Sequence, residues 1–183
     1  AFGTHDLLID PGCHSYTLDP TIRRMQLISS RHNAPAPATC ERFAPTQGSI
    51  NATARGAGIA QITAHRPGKP GIILAELPAS PASAGMQITR SVRLDERRLH
   101  ITDAWHFDAP QSARQLWLVH PDWQIFLPSA QTETKDRLEL TLRRGEIQLA
   151  VCLRAQGATL RYRQDHYSPD YGSWRDCGAL DLL

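Results

Sequence analysis

The sequence predicts an all-β fold, an antiparallel multi-stranded β-sandwich with one short helix. Three observations predict it: apolar and polar residues alternate along segments such as 137–143, turn-forming residues separate these segments, and the segments recur at a spacing of roughly 8–12 residues. The chain has 183 residues, which suffice for one such domain with a hydrophobic core. We therefore expect a single β-sandwich domain over residues 1–183.

The first quarter of the chain contains the first predicted strand and the predicted helix. The strand covers residues 6–9, a short apolar run that ends in an Asp-Pro-Gly turn at 10–12. The helix covers residues 19–30, because Asp19 can cap its first turn and Pro20 suits the first helical position.

The rest of the chain is predicted to form strands that are joined by turns and two loops. The loops, at 33–48 and 77–85, are rich in proline and small residues. Segments 86–94 and 99–107 form a predicted hairpin, in which Arg90 interrupts the apolar face of the first strand. The other predicted strands cover residues 58–64, 71–77, 113–120, 123–127, 137–143, 146–153 and 158–164.

The composition is that of an ordinary globular protein and argues against two classes. Hydrophobic residues make up 41% of the chain and charged residues 21%. A formal net charge of +2 without a concentrated basic stripe argues against nucleic acid as a partner. No apolar run approaches the roughly 18–20 residues of a membrane span, and the N-terminus lacks the pattern of a signal peptide.

The four cysteines are Cys13, Cys40, Cys152 and Cys177. They are scattered and form no Cys-Xaa-Xaa-Cys pair, which argues against a cysteine-rich zinc site. Their spacing does not choose among the possible pairings, or between disulfides and buried free thiols.

Asp10 and His32 are the candidate metal ligands. Asp10 ends an apolar strand, where a carboxylate can bind a metal, although an aspartate that simply starts a turn explains the same pattern. His32 lies where the predicted helix meets the loop, and imidazole with carboxylate is a common pair of metal ligands. A zinc site normally needs a third protein ligand, so the two residues predict an incomplete site.

Several segments, in order along the chain, carry the motifs of a known family. LLIDPGCHSYTLDPTIRRMQLISSRHN, at 7–33, is similar to a strand ending in Leu-Val-Asp-Pro-Gly, followed by a Ser-Tyr pair and then by His-Asn-Thr. ITRSVRLDERRLHITDAW, at 88–105, is similar to a pair of strands in that family. LWLVHPDW, at 116–123, and YSPDYGSW, at 167–174, resemble two of its later elements. The chain thus resembles the C-terminal β-sandwich of heparinase II/III-like polysaccharide lyases.

The resemblance implies a two-part enzyme that cleaves uronic-acid-containing polysaccharides by β-elimination. An N-terminal α/α-toroid supplies the tyrosine that acts as acid and base, and Tyr16 is therefore expected to be structural. We expect that the sequence contains neither the toroid nor the Gly-His-Xaa-Asp strand of the family, which should precede the segment AFGTHDLLIDPG at 1–12. We expect a β-sandwich that is truncated at its N-terminal edge and inactive alone. Some members bind a divalent metal such as zinc, and the matching positions here are Asp10 and His32.

An acidic polysaccharide and a periplasmic or secreted location also follow from the resemblance. Arg23, Arg24 and Arg31 would suit a polyanionic substrate, the alternative being a solvated face. The alternative function is a non-catalytic carbohydrate-binding or assembly module of an exopolysaccharide-processing protein. In such a module, tryptophans stack on sugars instead of packing in the core. The candidates are Trp105, Trp117, Trp123 and Trp174.

Overall fold

The computed structural model describes residues 5–15, 19–27, 29–37, 61–64, 72–77, 87–94, 97–128 and 132–183. Its elements, in chain order, are β1 (Leu8–Ile9), α1 (Pro20–Leu27), a 3₁₀ turn (Ser29–Arg31), β2 (Pro35–Pro37), β3 (Gln61–Ala64), β4 (Ile72–Leu77), β5 (Gln87–Leu94), β6 (Leu99–His106), β7 (Ala113–Val119), β8 (Gln124–Phe126), β9 (Glu133–Arg144), β10 (Ile147–Tyr167) and β11 (Arg175–Leu182). Cys40 and Tyr16 lie outside the described residues.

Two antiparallel sheets form the fold, as the sequence predicts. The larger has seven strands in the order β1-β7-β11-β10-β9-β8, with β2 also paired to β7, and the smaller has the order β3-β4-β5-β6. The sheets meet through side chains of β6 and β7: Ile101 packs against the main core, and Gln115 donates a hydrogen bond of 2.7 Å to Asp103. The all-β prediction is confirmed.

The main core lies between the sheets and is built from alternating strand residues. Leu138, Leu140 and Leu142 are the inward side chains of β9, and each is at most 3% exposed. Trp117 of β7 and Trp123, which precedes β8, complete the same cluster. A period of two in the sequence therefore becomes one buried face and one wet face in the sheet.

A second, smaller cluster covers the opposite face of the larger sheet. It is formed by Leu116, Leu118, Tyr167, Cys177 and Ala179. Because β7 and β11 are buried on both faces, their sequences do not alternate between apolar and polar residues.

Arg90 interrupts an apolar face because it belongs to a polar cluster between the sheets. It lies opposite Asp103 in the β5–β6 hairpin and donates two hydrogen bonds, of 2.6 and 2.8 Å, to that carboxylate. The guanidinium also lies over the ring of Trp117, 4.9 Å from its centre. The Asp103 side chain is 6% exposed, so its charge needs this partner.

Two predictions about the C-terminal strands are wrong. Segments 146–153 and 158–164 belong to the single strand β10, which shifts register against β9 between Arg154 and Thr159. Gly157, with a φ of 76°, lies within that shift and looks like a turn in the sequence. β11 was not predicted at all, although it lies between β7 and β10 in the sheet.

The predicted loop at 33–48 contains an edge strand, β2. It pairs with the first half of β7, while β1 pairs with the second half along the same edge. An edge position accommodates proline, which has no N–H to donate to a neighbouring strand.

The helix begins where the sequence predicts. Asp19 caps α1, since its Oδ1 accepts hydrogen bonds of 2.8 and 3.2 Å from the backbone N–H groups of Thr21 and Ile22. α1 ends at Leu27 and a 3₁₀ turn continues to Arg31. In the part of the chain described, no helix is long and apolar enough to cross a membrane.

Candidate functional site

The turn after β1 is fixed against the loop that joins β10 to β11. Gly12 has a φ of 72° and forms a parallel bridge with Ser168, whose N–H donates to the Pro11 carbonyl over 2.9 Å. A Cβ at Gly12 would lie 2.0 Å from the backbone oxygen of Ser168, so only glycine allows this approach. The turn therefore holds Asp10 at a defined place.

Asp10 and His32 lie side by side at this turn. Oδ2 of Asp10 is 2.6 Å from Nδ1 of His32, and its Oδ1 accepts a hydrogen bond of 3.0 Å from the Gly12 N–H. Burial alone would raise the pKa of Asp10, but the hydrogen bonds from His32 and Gly12 outweigh it and lower the pKa. The hydrogen bond to Asp10 raises the pKa of His32 against the effect of burial. The hydrogen bond between the two side chains therefore favours the charged form of each.

Asn33 fastens this pair to the sheet and was missed by the sequence analysis. Its Nδ2 donates to the Ile9 carbonyl over 3.0 Å, and its Oδ1 accepts from the Leu118 N–H over 3.1 Å. The side chain thus bridges β1 and β7 just before β2 begins. The His-Asn dipeptide at 32–33 was the signal in the sequence for this residue, but it was interpreted only as part of the family motif at 7–33.

The donor types suit zinc, but their number does not complete a site. A zinc ion in a protein usually has at least three protein ligands. Among the residues that the structure describes, no group of three or more His, Cys, Asp or Glu side chains is placed to hold a metal. Asp10 and His32 therefore provide two potential metal ligands, which are hydrogen-bonded to each other. A metal would need at least one further protein ligand.

The predicted substrate-binding arginines occupy different environments. Arg31 donates to Asp165 over 2.6 Å and to the His166 carbonyl over 3.1 Å, and its side chain is 18% exposed. Arg23 donates to the sulfur of Cys13 over 3.0 Å. Arg24 lies in α1, and its side chain is not among those described. The guanidinium of Arg31 is thus turned towards the protein, and contact with a substrate stays a prediction for all three.

The charge of Arg31 belongs to a chain of ion pairs over the larger sheet. Arg163 contacts both Asp165, at 2.7 Å, and Asp181, at 2.6 Å.

Burial, with the nearby charge of Asp165, raises the pKa of the Cys177 thiol to about 12. Cys177, Cys13 and Cys152 are free thiols, and a thiol with so high a pKa is unreactive at neutral pH.

Three rings that the sequence analysis did not combine meet beside this turn; we call His14, His166 and Trp174 the ring cluster. The rings of His14 and Trp174 stack with centres 4.7 Å apart and planes 17° apart, and His166 meets Trp174 edge to face at 6.4 Å. The backbone N–H of His14 donates to Oε1 of Gln26 over 2.9 Å, and the backbone of Gln26 also bonds His32. Gln26 therefore connects the ring cluster to the Asp10–His32 pair.

The four tryptophans divide equally between core and surface. Trp117 and Trp123 are buried, at 8% and 3% exposure, whereas Trp105 and Trp174 are 37% and 39% exposed. Only the latter two are accessible enough to contact a sugar.

Solved structures of heparan sulfate lyases match this fold. Heparan sulfate lyase HepC from Pedobacter heparinus matches with a TM-score of 0.68 and 16% identity, over 97% of this chain and 26% of that one. A mutant of the same lyase gives a TM-score of 0.69 at 14% identity, over 97% and 26% of the two chains. A heparinase III with methylated lysines gives 0.67 at 14% identity, over 100% and 26%.

This chain has the fold of one part of a heparan sulfate lyase. It spans about a quarter of the length of the lyases that it matches, since it covers 26% of each of these three chains. No protein-family model matches the sequence, and no curated protein is significantly similar to it. The resemblance inferred from the sequence is thus confirmed at the level of the lyase fold.

Proposed function

We propose that this chain is the β-sandwich part of a polysaccharide lyase that acts on a uronic-acid-containing polymer. The observation that carries the proposal is the fold match, which runs along 97–100% of this chain and includes two forms of a heparan sulfate lyase. The sequence motifs at 7–33 and 167–174 support the same assignment, and they lie at the two segments that build the candidate site.

The reaction proposed for the whole enzyme is β-elimination. A base removes the proton at C5 of the uronate, the bond from C4 to the bridging oxygen breaks, and a C4–C5 double bond forms as the leaving oxygen takes up a proton. No water is consumed. We propose that the acid/base tyrosine lies on an N-terminal α/α-toroid, so that residues 1–183 have no lyase activity alone.

We propose that Asp10 and His32 supply two ligands to a divalent metal such as zinc, completed by a residue of the partner domain. The proposal is supported by the fold bringing a carboxylate and an imidazole together at one turn. Their 2.6 Å contact is a hydrogen bond, so metal binding would replace its proton and separate Oδ2 and Nδ1 to roughly 3.3 Å, the ligand spacing of a tetrahedral zinc site. The metal would hold the turn at 10–12 against the partner domain.

The test of the lyase function joins residues 1–183 to the toroid of the same protein. We expect the joined protein, given a polymer of uronate and hexosamine, to release unsaturated products that absorb in the ultraviolet, and residues 1–183 alone to release none. Turnover by residues 1–183 alone would contradict the division of labour, and the absence of turnover from the joined protein would contradict the function.

The test of the metal site measures zinc in the joined protein by elemental analysis. We expect about one zinc per chain, lost in Asp10→Ala and His32→Ala. His106→Ala, which removes an exposed histidine at the end of β6, is the control and should retain the metal. Zinc content that is nil, or equal in all variants, would contradict the assignment.

A second candidate function is a non-catalytic carbohydrate-binding module of an exopolysaccharide-processing protein. The exposure of Trp105 and Trp174 favours it, since exposed tryptophans suit sugar stacking. The domain that accompanies residues 1–183 discriminates the two functions: a toroid with a tyrosine favours the lyase. For either function we propose a periplasmic or secreted location, which fractionation of the native cells tests.

A further inference from the structure

The first half of β10 has one side on which no described strand lies. β9 pairs with β10 from residue 147 onward, but β11 pairs with it only over residues 160–167. Leu183 extends the pairing with β11 by one residue, since it exchanges two hydrogen bonds of 2.9 Å with Thr159. Among the described strands, the β11 side of 147–154 is therefore an open edge.

This edge is regular along its whole length. An unpaired row of N–H and C=O groups is a template for another strand, and proteins usually blunt it with proline, lysine or a bulge. Residues 147–154 read IQLAVCLR, with neither proline nor lysine, and their one charged residue, Arg154, is the last. The register of β10 against β9 shifts only after Arg154. The segment 147–154 is thus suited to pairing with a further strand.

The side chains of this segment differ between the two faces of the sheet. Those that face the main core are half-buried and apolar, and those on the other face are exposed. The core-facing set is Ile147, Leu149, Val151 and Leu153, and the exposed set is Gln148, Ala150, Cys152 and Arg154. A strand with the same alternation would cover the half-buried row with apolar side chains of its own.

The hairpin turn determines which backbone groups face the open side. β9 and β10 are joined by a two-residue turn at 145–146, and the flanking residues Arg144 and Ile147 are paired. In such a hairpin the flanking pair exchanges both hydrogen bonds, so the odd-numbered residues of 147–153 bond to β9. The even-numbered residues of 148–154 then direct their N–H and C=O groups to the open edge. A partner strand must therefore bond to these even-numbered residues.

The charges at the two ends of the segment have opposite signs. Arg154 lies directly opposite Arg137 of β9, and like charges at such positions repel. Glu139 is paired with Arg137. Glu146, at the other end of the segment, is exposed, and within the described part of the chain neither Glu146 nor Arg154 forms an ion pair. The open edge thus presents a cation at one end and an anion at the other.

We propose that the open edge of β10 pairs with the same edge of a second copy of this chain. In antiparallel pairing about a two-fold axis at Ala150, Glu146 of each copy lies opposite Arg154 of the other. The same register places the even-numbered residues in bonding positions across the axis and sets the apolar rows of the two copies opposite each other. Because each edge covers the other, the assembly stops at a dimer. The inference is independent of the proposed lyase function.

Sedimentation equilibrium of residues 1–183 over a concentration series tests the dimer. We expect a reversible dimer with twice the 20.3 kDa mass of the chain. Arg154→Glu and Glu146→Arg should each raise the dissociation constant about fivefold or more, because two ion pairs become two repulsions. The double variant should recover the affinity, since both pairs are restored with their signs exchanged. Arg143→Glu is the matched control: Arg143 is exposed but lies on β9, away from the open edge, and the dissociation constant should not change.

Crosslinking tests the register. Ala150→Cys in a Cys152→Ser background places two thiols at the axis, at the roughly 5.5 Å Cα spacing of a hydrogen-bonded pair, which a disulfide can span. Mild oxidation should link the two copies of this variant and leave Cys152→Ser alone unlinked. All the changed side chains are exposed, and thermal unfolding checks that each variant folds. A monomer at every concentration, no recovery in the double variant, or linkage of the unmodified protein through Cys152, which would move the axis to residue 152, would each overturn the proposal.

Discussion

Replacing Gly12 with alanine should separate the turn after β1 from the β10–β11 loop. Gly12 has a φ of 72°, and an added Cβ would lie 2.0 Å from the backbone oxygen of Ser168. Because the obstacle is backbone, no side-chain rotation relieves the contact, and one of the two segments must move. Movement breaks the hydrogen bond from the Ser168 N–H to the Pro11 carbonyl.

The expected cost has two parts. Holding a residue with a Cβ in the left-handed region costs roughly 1–2 kcal/mol. Losing the hydrogen bond between Ser168 and Pro11 costs about 0.5–1.5 kcal/mol more. We therefore expect Gly12→Ala to lower the free energy of unfolding by about 1.5–3.5 kcal/mol, measured by equilibrium unfolding in urea.

Gly145→Ala is the matched control for this experiment. Gly145, in the turn between β9 and β10, also has a positive φ, of 56°, but a Cβ there would meet nothing within 4 Å. It should lose only the roughly 1–2 kcal/mol of the left-handed conformation. If Gly12→Ala is no less stable than Gly145→Ala, the close approach of the turn to the loop does not hold the two segments together.

The ion pairs and the core give three further expectations. Burial alone would raise the pKa of Asp165, but the hydrogen bond from Arg31 and other backbone and charge interactions lower it below its usual 3.8. The Asp165 carboxylate therefore stabilises the fold above pH 3.8, and this stabilisation is lost as the pH falls through the lowered pKa. The thermal unfolding temperature of Asp165→Asn should therefore depend less on pH in this acidic range than that of the unmodified protein. An identical pH dependence would refute the linkage. Arg90→Ala removes the charged partner of the buried Asp103 carboxylate, which then keeps only the hydrogen bond from Gln115. This variant should cost about 3–5 kcal/mol in urea unfolding, a loss below about 1 kcal/mol being contrary. Leu140→Ala, at 3% exposure, should cost about 2–5 kcal/mol in the same assay, and a neutral result would mean that β9 does not face the core.

Local patterns in the sequence were enough to predict the elements whose structure depends on local interactions. The cap at Asp19, the hairpin of β5 and β6, and the buried face of β9 all follow from neighbouring residues in the chain. Arg90 was recognised as a break in an apolar face. The part of Arg90 in a buried polar cluster was not recognised, because its partner Asp103 becomes buried and contacts Gln115 only when β7 packs against the hairpin.

β11 shows why the rest could not be predicted from the sequence. It is buried on both faces, so the alternation that marks other strands is missing, and Gly178 weakens its strand character. At this position the side chain of Ile125 packs over the strand, since a Cβ on Gly178 would lie 2.3 Å from its Cδ1. β10 was divided for a related reason, because the bulge at Gly157 resembles a turn.

The candidate site depends on sheet topology more than on any single motif. β1 lies beside β7, and β11 lies between β7 and β10, so the turn that carries Asp10 reaches the loop that carries Trp174 although they are far apart in sequence. The pairing of Asp10 with His32 could be suggested by a motif because both residues lie within one segment. The ring cluster could not be predicted, since His14 and Trp174 meet only because β11, which the sequence pattern does not reveal, lies between β7 and β10. Further residues of the candidate site should therefore be sought on the β10–β11 loop, where Ser168 and Trp174 lie, rather than near Asp10 in the sequence.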